Sequence, residues 1–332
     1  MQYKVLFKRC LLAIVVMFVV TSLQAQREMK TINDNWEFRK SIDESWESVN
    51  LPHTFNIDAY QQRNYYQGKG FYRRTLVLPE IVAERRYYMK IDAASKAANI
   101  RVNGKEVGSH VGGYTACIVD ITEYIRKENL IEITVDNGRK DITPISADFT
   151  FWGGIYRDVW LISTPKQHFN MSNMGSDGIF ISTPVVNEKR GVLKVKCEVT
   201  NDSHESSILE VRSAIYSPQG KLLQTIKQKQ KLKSGETYIF ENTSGAIESP
   251  DLWSPETPSL YLVKTTLVDP KSGKLLDEKN HKVGFRWFTF DGSKGFFLNG
   301  KSYKLRGLNR HQDQAPALSL IHISEPTRLL SI

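Results

Sequence analysis

The 332-residue chain is poor in cysteine, with only Cys10, Cys117 and Cys197. Cys10 lies in an N-terminal leader, so two remain for the folded part. That excludes the disulfide framework on which small secreted domains depend, and no Cys/His spacing matches a metal site. Cys117 and Cys197 are expected to be free, buried and inert, behaving as small apolar residues. Membrane-length apolar runs are missing too. Cys10–Val20 (CLLAIVVMFVV) is short of the about 20 residues that a spanning helix needs, so no stable membrane insertion is expected. Between Trp36 and Ser163 there is no sustained helical periodicity. Charge is not concentrated either: 45 basic against 36 acidic residues give +9, spread along the chain. Without a basic helix or a platform of stacked aromatics, no nucleic acid partner is implied, and the excess reads as an aid to solubility.

What the chain does have is core-forming material. Apolar residues make up 40% and aromatic residues 11%, enough to bury proper cores and suited to half-buried pleated surfaces. The length suggests about two domains. At the N-terminus, Lys4, Lys8 and Arg9 precede the apolar run, and Thr21-Ser22-Leu23-Gln24-Ala25 supplies small residues at a cleavage site. Residues 1–25 therefore read as a secretory signal peptide cut after Ala25, which implies a periplasmic or secreted protein. Cys10 precedes the apolar run rather than following it, which argues against a lipoprotein anchor.

The remainder reads as short strands punctuated by turns. Gly70–Leu78 is one strand, stopped by Pro79, and Tyr87–Ile91 is another. Asn99–Val102 and Glu106-Val107 flank Asn103-Gly104, a type I′ hairpin signal, because both central residues of that turn need φ > 0. Leu130–Val135 alternates as a strand with one wet face. Many short strands at this spacing predict an antiparallel sandwich. From His168 to about Val283 a second all-β unit follows. In it Ser217-Pro218-Gln219-Gly220 and Asp269-Pro270-Lys271-Ser272-Gly273 are turns with Pro second and Gly near the end. Some 115 residues of this pattern fit a seven-stranded immunoglobulin-like sandwich. Lys221–Lys233 is most simply a solvated, Lys-rich hairpin face.

Two stretches carry chemistry. Gly295–Asp313, GFFLNGKSYKLRGLNRHQD, opens as a hairpin around Asn299-Gly300 and runs into Arg306-Gly307-Leu308-Asn309-Arg310-His311. A strand end with polar tips is how a rigid backbone presents a site. The same residues also fit a solvated strand-to-loop junction. The second stretch is Asp148–Asp158, DFTFWGGIYRD. Its Gly-Gly pair lets a backbone pass closely or turn sharply, and Asp148 among aromatic rings is placed to hydrogen-bond sugar hydroxyls. A turn in which Asp148 caps nearby backbone amides fits as well. Arg157 and Asp158 read as structural, fixing a domain junction.

The segment FLNGK-x-x-K-L-R-G-x-N-R-H resembles the entry to the catalytic (β/α)8 barrel of family 2 glycoside hydrolases, the β-galactosidase group. GFYRRTLVLP, IRVNGKEVGSHVGGYTACIVDITEYI, IEITVDN and FWGGIYRDVWLI resemble that family's sugar-binding jelly-roll domain, in the family's order. LWSPETPSLY and Val283-Gly284-Phe285-Arg286 resemble its middle domain. The resemblance implies an all-β region: a jelly-roll sandwich over 27–165, an immunoglobulin-like sandwich over 168–285, and at 290–317 the start of a truncated barrel. It implies that His311 lines a sugar pocket, and that Asp148 contacts the galactosyl group and, in some members, a sodium ion.

The function implied is a retaining β-galactosidase releasing terminal β-D-galactose from glycans, with a β-galactoside as partner and oligomerisation left open. β-Glucuronidase and β-mannosidase share the domain order, and Gln312 stands where many relatives carry an acid. Both catalytic glutamates are expected downstream of this chain, which is therefore expected to be inactive and without a cofactor. Mg2+ and Na+ belong, by the same resemblance, to the full-length parent. A secreted, non-catalytic carbohydrate-binding protein is the reading from another class. Leu318–Ile332 resembles the translation of a transposase-type sequencing adapter, so His322 and Glu325 are assigned no role. The barrel segment from Gly295 is expected to lack partner strands and to be disordered or adhesive.

Overall fold

The structure is a computed structural model and describes residues 26–57, 64–145 and 150–307. Every element in them longer than a single turn is a strand. The chain divides into two compact units. One is built mainly from 29–163 together with 171–176, and the other from 164–170 and 177–306, with 26–28 attached to the second.

The first unit holds β1 (Glu28–Thr31), β2 (Trp36–Arg39), β3 (Glu47–Val49), β4 (Lys69–Val77), β5 (Arg85–Ile91), β6 (Ala97–Val102), β7 (Lys105–Val111), β8 (Cys117–Asp120), β9 (Glu128–Asp136) and β10 (Val159–Pro165). They form a six-stranded sheet, β3-β2-β4-β9-β6-β7, and a four-stranded sheet, β1-β10-β5-β8. Alternation in the sequence sets which faces meet. In β5 every second residue is buried, and in β9 Leu130 is partly exposed while Ile131, Ile133 and Val135 are buried. Those residues join Trp36, Phe38, Tyr72, Met89, Ile91 and Ile100 in one core, each large side chain contributing about 1.5–3 kcal/mol of burial. The hairpin β6–β7 turns on Asn103 (φ 52°) and Gly104 (φ 77°), both left-handed as the type I′ turn requires.

The second unit holds β11 (Gln167–Phe169), β12 (Ile179–Val186), β13 (Arg190–Asn201), β14 (Ser207–Tyr216), β15 (Leu222–Leu232), β16 (Glu236–Thr243), β17 (Ile247–Glu248), β18 (Tyr261–Val268), β19 (Leu275–Val283), β20 (Phe288–Asp291), β21 (Gly295–Leu298) and β22 (Lys301–Ser302). Around β13 pair β11, β12, β16 and β17, while β15-β14-β18-β19 forms a second sheet. Leu193, Val195, Cys197 and Val199 of β13 meet Leu209, Val211 and Ile215 of β14 and Val263 and Leu267 of β18 in the core. Both Pro/Gly turns join hairpins, Tyr216 facing Leu222 and Val268 facing Leu275. Cys117 and Cys197 are free and buried. Burial pushes the Cys197 thiol up to about 12, with Asp177 adding to the shift.

The segment from Gly295 differs from the expectation. β21 is paired on both sides, with β20 and with β22, and Leu298 is buried. Asn299 and Gly300 take φ of 52° and 76°, and Asn299 Nδ2 donates to the Trp253 carbonyl at 3.0 Å. The pairing with β22 is the hairpin that Asn299-Gly300 signals, whereas β20 and the Trp253 carbonyl are partners that the sequence gives no sign of. The second arm ends at Ser302, and Tyr303 makes the last ladder bond, donating its amide to the Phe296 carbonyl at 2.9 Å. Phe288, Phe290 and Leu305 stay exposed.

Candidate functional site

Asp148 and His311 both lie outside the described residues. The structure does show what holds the chain on either side of Asp148. On the far side, Phe151–Ile155 runs alongside His53–Asn56. The His53 amide donates to the Ile155 carbonyl at 2.8 Å, and the Phe55 amide to the Gly153 carbonyl at 3.1 Å. Side chains complete the seam. Asn56 Oδ1 accepts from the Gly153 amide at 2.9 Å, and its Nδ2 donates to the Phe151 carbonyl at 2.9 Å. Asn137 Nδ2 donates to the same carbonyl at 2.8 Å, and Tyr65 Oη accepts from the Phe151 amide at 2.8 Å. Asn56 and Asn137 are fully buried. Asn137 Oδ1 in turn takes the Gly68 amide at 2.8 Å. Each asparagine thus occupies both ends of its amide on backbone groups, which is what makes burying a carboxamide tolerable.

On the near side the anchor is Lys96, a buried lysine. Its Nζ donates to the Pro144 carbonyl at 2.9 Å and to the Arg139 carbonyl at 3.4 Å, and lies 4.5 Å from the centre of the Phe151 ring. One side chain thus ties the segment before Asp148 to the aromatic residue after it. Arg139 is further paired with Asp141. Chemically, the arrangement immobilises the backbone before residue 146 and after residue 149.

The Gly-Gly pair works as its sequence suggests. A Cβ on Gly153 would lie 2.3 Å from Phe55 Cζ and 2.6 Å from Asn137 Nδ2. Ser95 bridges to Gly154, its amide donating to the Gly154 carbonyl at 3.1 Å. Asp158 is structural, but it serves its own unit rather than a domain junction: its Oδ1 accepts from Asn33 Nδ2 at 2.9 Å, and Asn33 Oδ1 takes the Val159 amide at 3.0 Å. Sequence reasoning misses Asn56, Tyr65, Lys96 and Asn137. Of these only Asn137, inside IEITVDN, carries any local signal.

His53 closes the seam and makes it sensitive to acid. Its Nδ1 lies 2.8 Å from Tyr72 Oη, and Phe38 packs on its ring at 4.8 Å. Burial, helped by Lys40, brings its pKa down to about 4. Between about pH 4 and the ordinary value near 6.5 the unfolded chain then binds more protons than the folded one. The His53 contribution is complete above about pH 6.5 and is lost as pH falls towards 4. Lowering the pH from 7 to 5 is expected to cost about 2 kcal/mol more in the wild type than in His53→Asn, read from urea midpoints.

Among the described residues, no three His, Cys, Asp or Glu side chains converge on a point where a metal would sit. Among the same residues no helix is long and apolar enough to cross a membrane.

Each unit is built of paired antiparallel sheets, and the first holds a seam of buried amides along residues 151–155. Comparison makes this specific. Residues 13–165 match the family model "Glycosyl hydrolases family 2, sugar binding domain", and residues 177–286 match "Glycosyl hydrolases family 2". Together the two matches cover most of the chain, and the chain belongs to glycoside hydrolase family 2. It is 33% identical over 303 residues to a beta-glucuronidase of Bacteroides fragilis, covering 89% of this chain and 43% of the relative. It is 31% identical to a beta-galactosidase of Thermoanaerobacter pseudethanolicus, covering 85% and 37%. Among solved structures, it is 51% identical, with a TM-score of 0.87, to Bacteroides uniformis beta-glucuronidase 2 covalently bound to cyclophellitol-6-carboxylate aziridine, covering 92% of this chain and 38% of that one. The chain thus spans roughly two fifths of the length of these relatives.

Proposed function

We propose that this chain is the N-terminal, substrate-side scaffold of a retaining glycosidase whose intact form cleaves terminal β-glucuronides, in place of the β-galactosides that the sequence motifs suggest. The observation that carries this is the likeness to the Bacteroides uniformis enzyme captured with a carboxylate-bearing cyclophellitol aziridine. Opening of an aziridine by the enzyme leaves a covalent bond, which is the signature of a nucleophile and hence of retention. The carboxylate at C6 marks a glucuronide, where a galactoside or mannoside carries CH2OH and differs further in configuration at C4 or C2.

In this reading the two glutamates about 5 Å apart that a retaining site needs lie beyond this chain. Asp148 and His311 orient sugar hydroxyls, contacts that accelerate the reaction to the extent that they tighten in the transition state. The leader at residues 1–25 supports an enzyme that works outside the cytoplasm. A β-galactosidase remains the second reading, supported by the Thermoanaerobacter relative. The test is kinetic. The full-length parent is expected to show kcat/KM at least about a hundredfold higher on 4-nitrophenyl β-glucuronide than on the β-galactoside, because a site built around a substrate carboxylate leaves buried polar groups unpaired when it is absent. An equal or reversed ratio would return the assignment to galactose.

A further inference from the structure

We infer that the outer face of the β15-β14-β18-β19 sheet binds an acidic, uronate-bearing polysaccharide. On β15, Lys227, Lys229 and Lys231 point to one side at every second residue, exposed and about 6.7 Å apart along the strand. The register carries this stripe across the sheet. Lys229 faces Glu210 and Lys227 faces Arg212 on β14. Arg212 continues to Thr266 and Ala214 to Lys264 on β18. Leu262 meets Lys282 on β19.

The face therefore bears six cations (Lys227, Lys229, Lys231, Arg212, Lys264, Lys282) against two carboxylates, Glu210 and Glu278. Glu210 is shared by Arg212 and Lys229, its carboxylate 3.1 Å from Lys229 Nζ, and Glu278 pairs with Lys264 at 2.9 Å. Lys227, Lys231 and Lys282 have no carboxylate partner among the described residues. The face is left with a net charge of +4 from groups spread over about 14 Å across the strands.

Lysines on an edge strand also guard against sheet-to-sheet pairing, and β15 is an edge strand. That need covers Lys282 on β19, the opposite edge, but does not extend to Arg212 and Lys264, which stand on inner strands. A distributed field of one sign is complementary to a polyanion, whose charges recur at intervals of several ångströms. Nucleic acid fits less well. Tyr216 is the sole aromatic on this face, and single strands are held by successive stacked bases on several rings. An acidic glycan needs the cations alone, and its uronate units carry the same C6 carboxylate as the sugar proposed for the intact enzyme. To that extent the inference rests on the reading of the intact protein as acting on acidic sugars.

The experiment uses the chain itself, so binding is read without hydrolysis. The chain is expected to be retained on immobilised polyglucuronate at low salt and released as salt rises towards 1 M, where the screening length falls to about 3 Å. Replacing Lys227→Gln, Lys229→Gln and Lys231→Gln together, all exposed, is expected to weaken binding about tenfold with an unchanged circular dichroism spectrum. Neutral galactan is expected not to bind. No retention, an unchanged affinity in the triple variant, equal binding of galactan, or equal displacement by a DNA oligonucleotide of the same charge concentration would each overturn the assignment. If the parent cleaves galactosides while the chain still binds polyglucuronate through these lysines, the functional reading falls and the polysaccharide site stands.

Discussion

Asp277→Ala is expected to cost about 3–5 kcal/mol of folding stability. Asp277 is fully buried, and its Oδ2 accepts from Arg27 Nη2 at 2.7 Å and from the Phe169 amide at 3.0 Å. Its Oδ1 takes the Glu278 amide at 2.9 Å. Arg27 is nearly as buried and spends the same Nη2 on the Phe169 carbonyl. Removing the carboxylate deprives the Arg27 guanidinium of its counter-charge and leaves two backbone amides, Phe169 and Glu278, without their acceptor in a low-dielectric interior. The loss is then the desolvation of stranded groups, well above the net worth of the pair. Replacing both partners by apolar residues, Arg27→Met with Asp277→Leu, is expected to recover most of it. Denaturant midpoints of the two singles and the double measure the coupling directly. Arg27 is the second residue after the expected cleavage point at Ala25. A leader cut two residues later would remove it and strand the Asp277 carboxylate at a similar cost.

Gly154→Ala is expected to cost about 3 kcal/mol or more, and for a different reason. The added Cβ would stand 2.5 Å from the His53 carbonyl oxygen and 2.6 Å from Tyr72 Oη. Neither can retreat: His53 is pinned by its own amide to Ile155, and Tyr72 is buried in the core. Residue 154 also sits at φ 125°, a conformation that an L side chain rarely adopts and that adds about 1–3 kcal/mol. Gly220→Ala separates the two contributions. Its φ is 82°, but nothing lies within 4 Å of the added atom, so only the backbone term of about 1 kcal/mol remains. Thermal midpoints of the two variants, compared side by side, read the difference. If Gly154→Ala were no worse than Gly220→Ala, the close packing of the seam beside the Asp148 segment would be wrong.

The strands are legible in the sequence because their period is local. Ile131, Ile133 and Val135 announce a half-buried strand whatever they pack on, and Asn103-Gly104 and Asn299-Gly300 dictate their own φ angles. The Pro/Gly turns at Ser217 and Asp269 are readable on the same grounds. The anchors beside Asp148 are not. Lys96 is a buried cation whose partners are carbonyls 43 and 48 residues away, and nothing in its neighbours' identity distinguishes it from a surface lysine. The Arg27–Asp277 pair joins residues 250 apart. Asn56 works through a carboxamide that any loop asparagine possesses. The identity of the sugar is hard to read for a related reason: the motifs around Asn309 and His311 resemble those of the whole family, whose members include both beta-glucuronidases and beta-galactosidases.

Treatment with a glucuronic-acid-configured cyclophellitol aziridine tests most directly whether this chain is the scaffold of a retaining glucuronidase. The full-length parent is expected to become covalently labelled, with label blocked by prior occupation with a glucuronide. This chain alone is expected to take up none and to hydrolyse neither glucuronide nor galactoside. Stoichiometric labelling of the 332-residue chain, or turnover by it, would contradict that division of labour, since the nucleophile would then lie among the scaffolding residues.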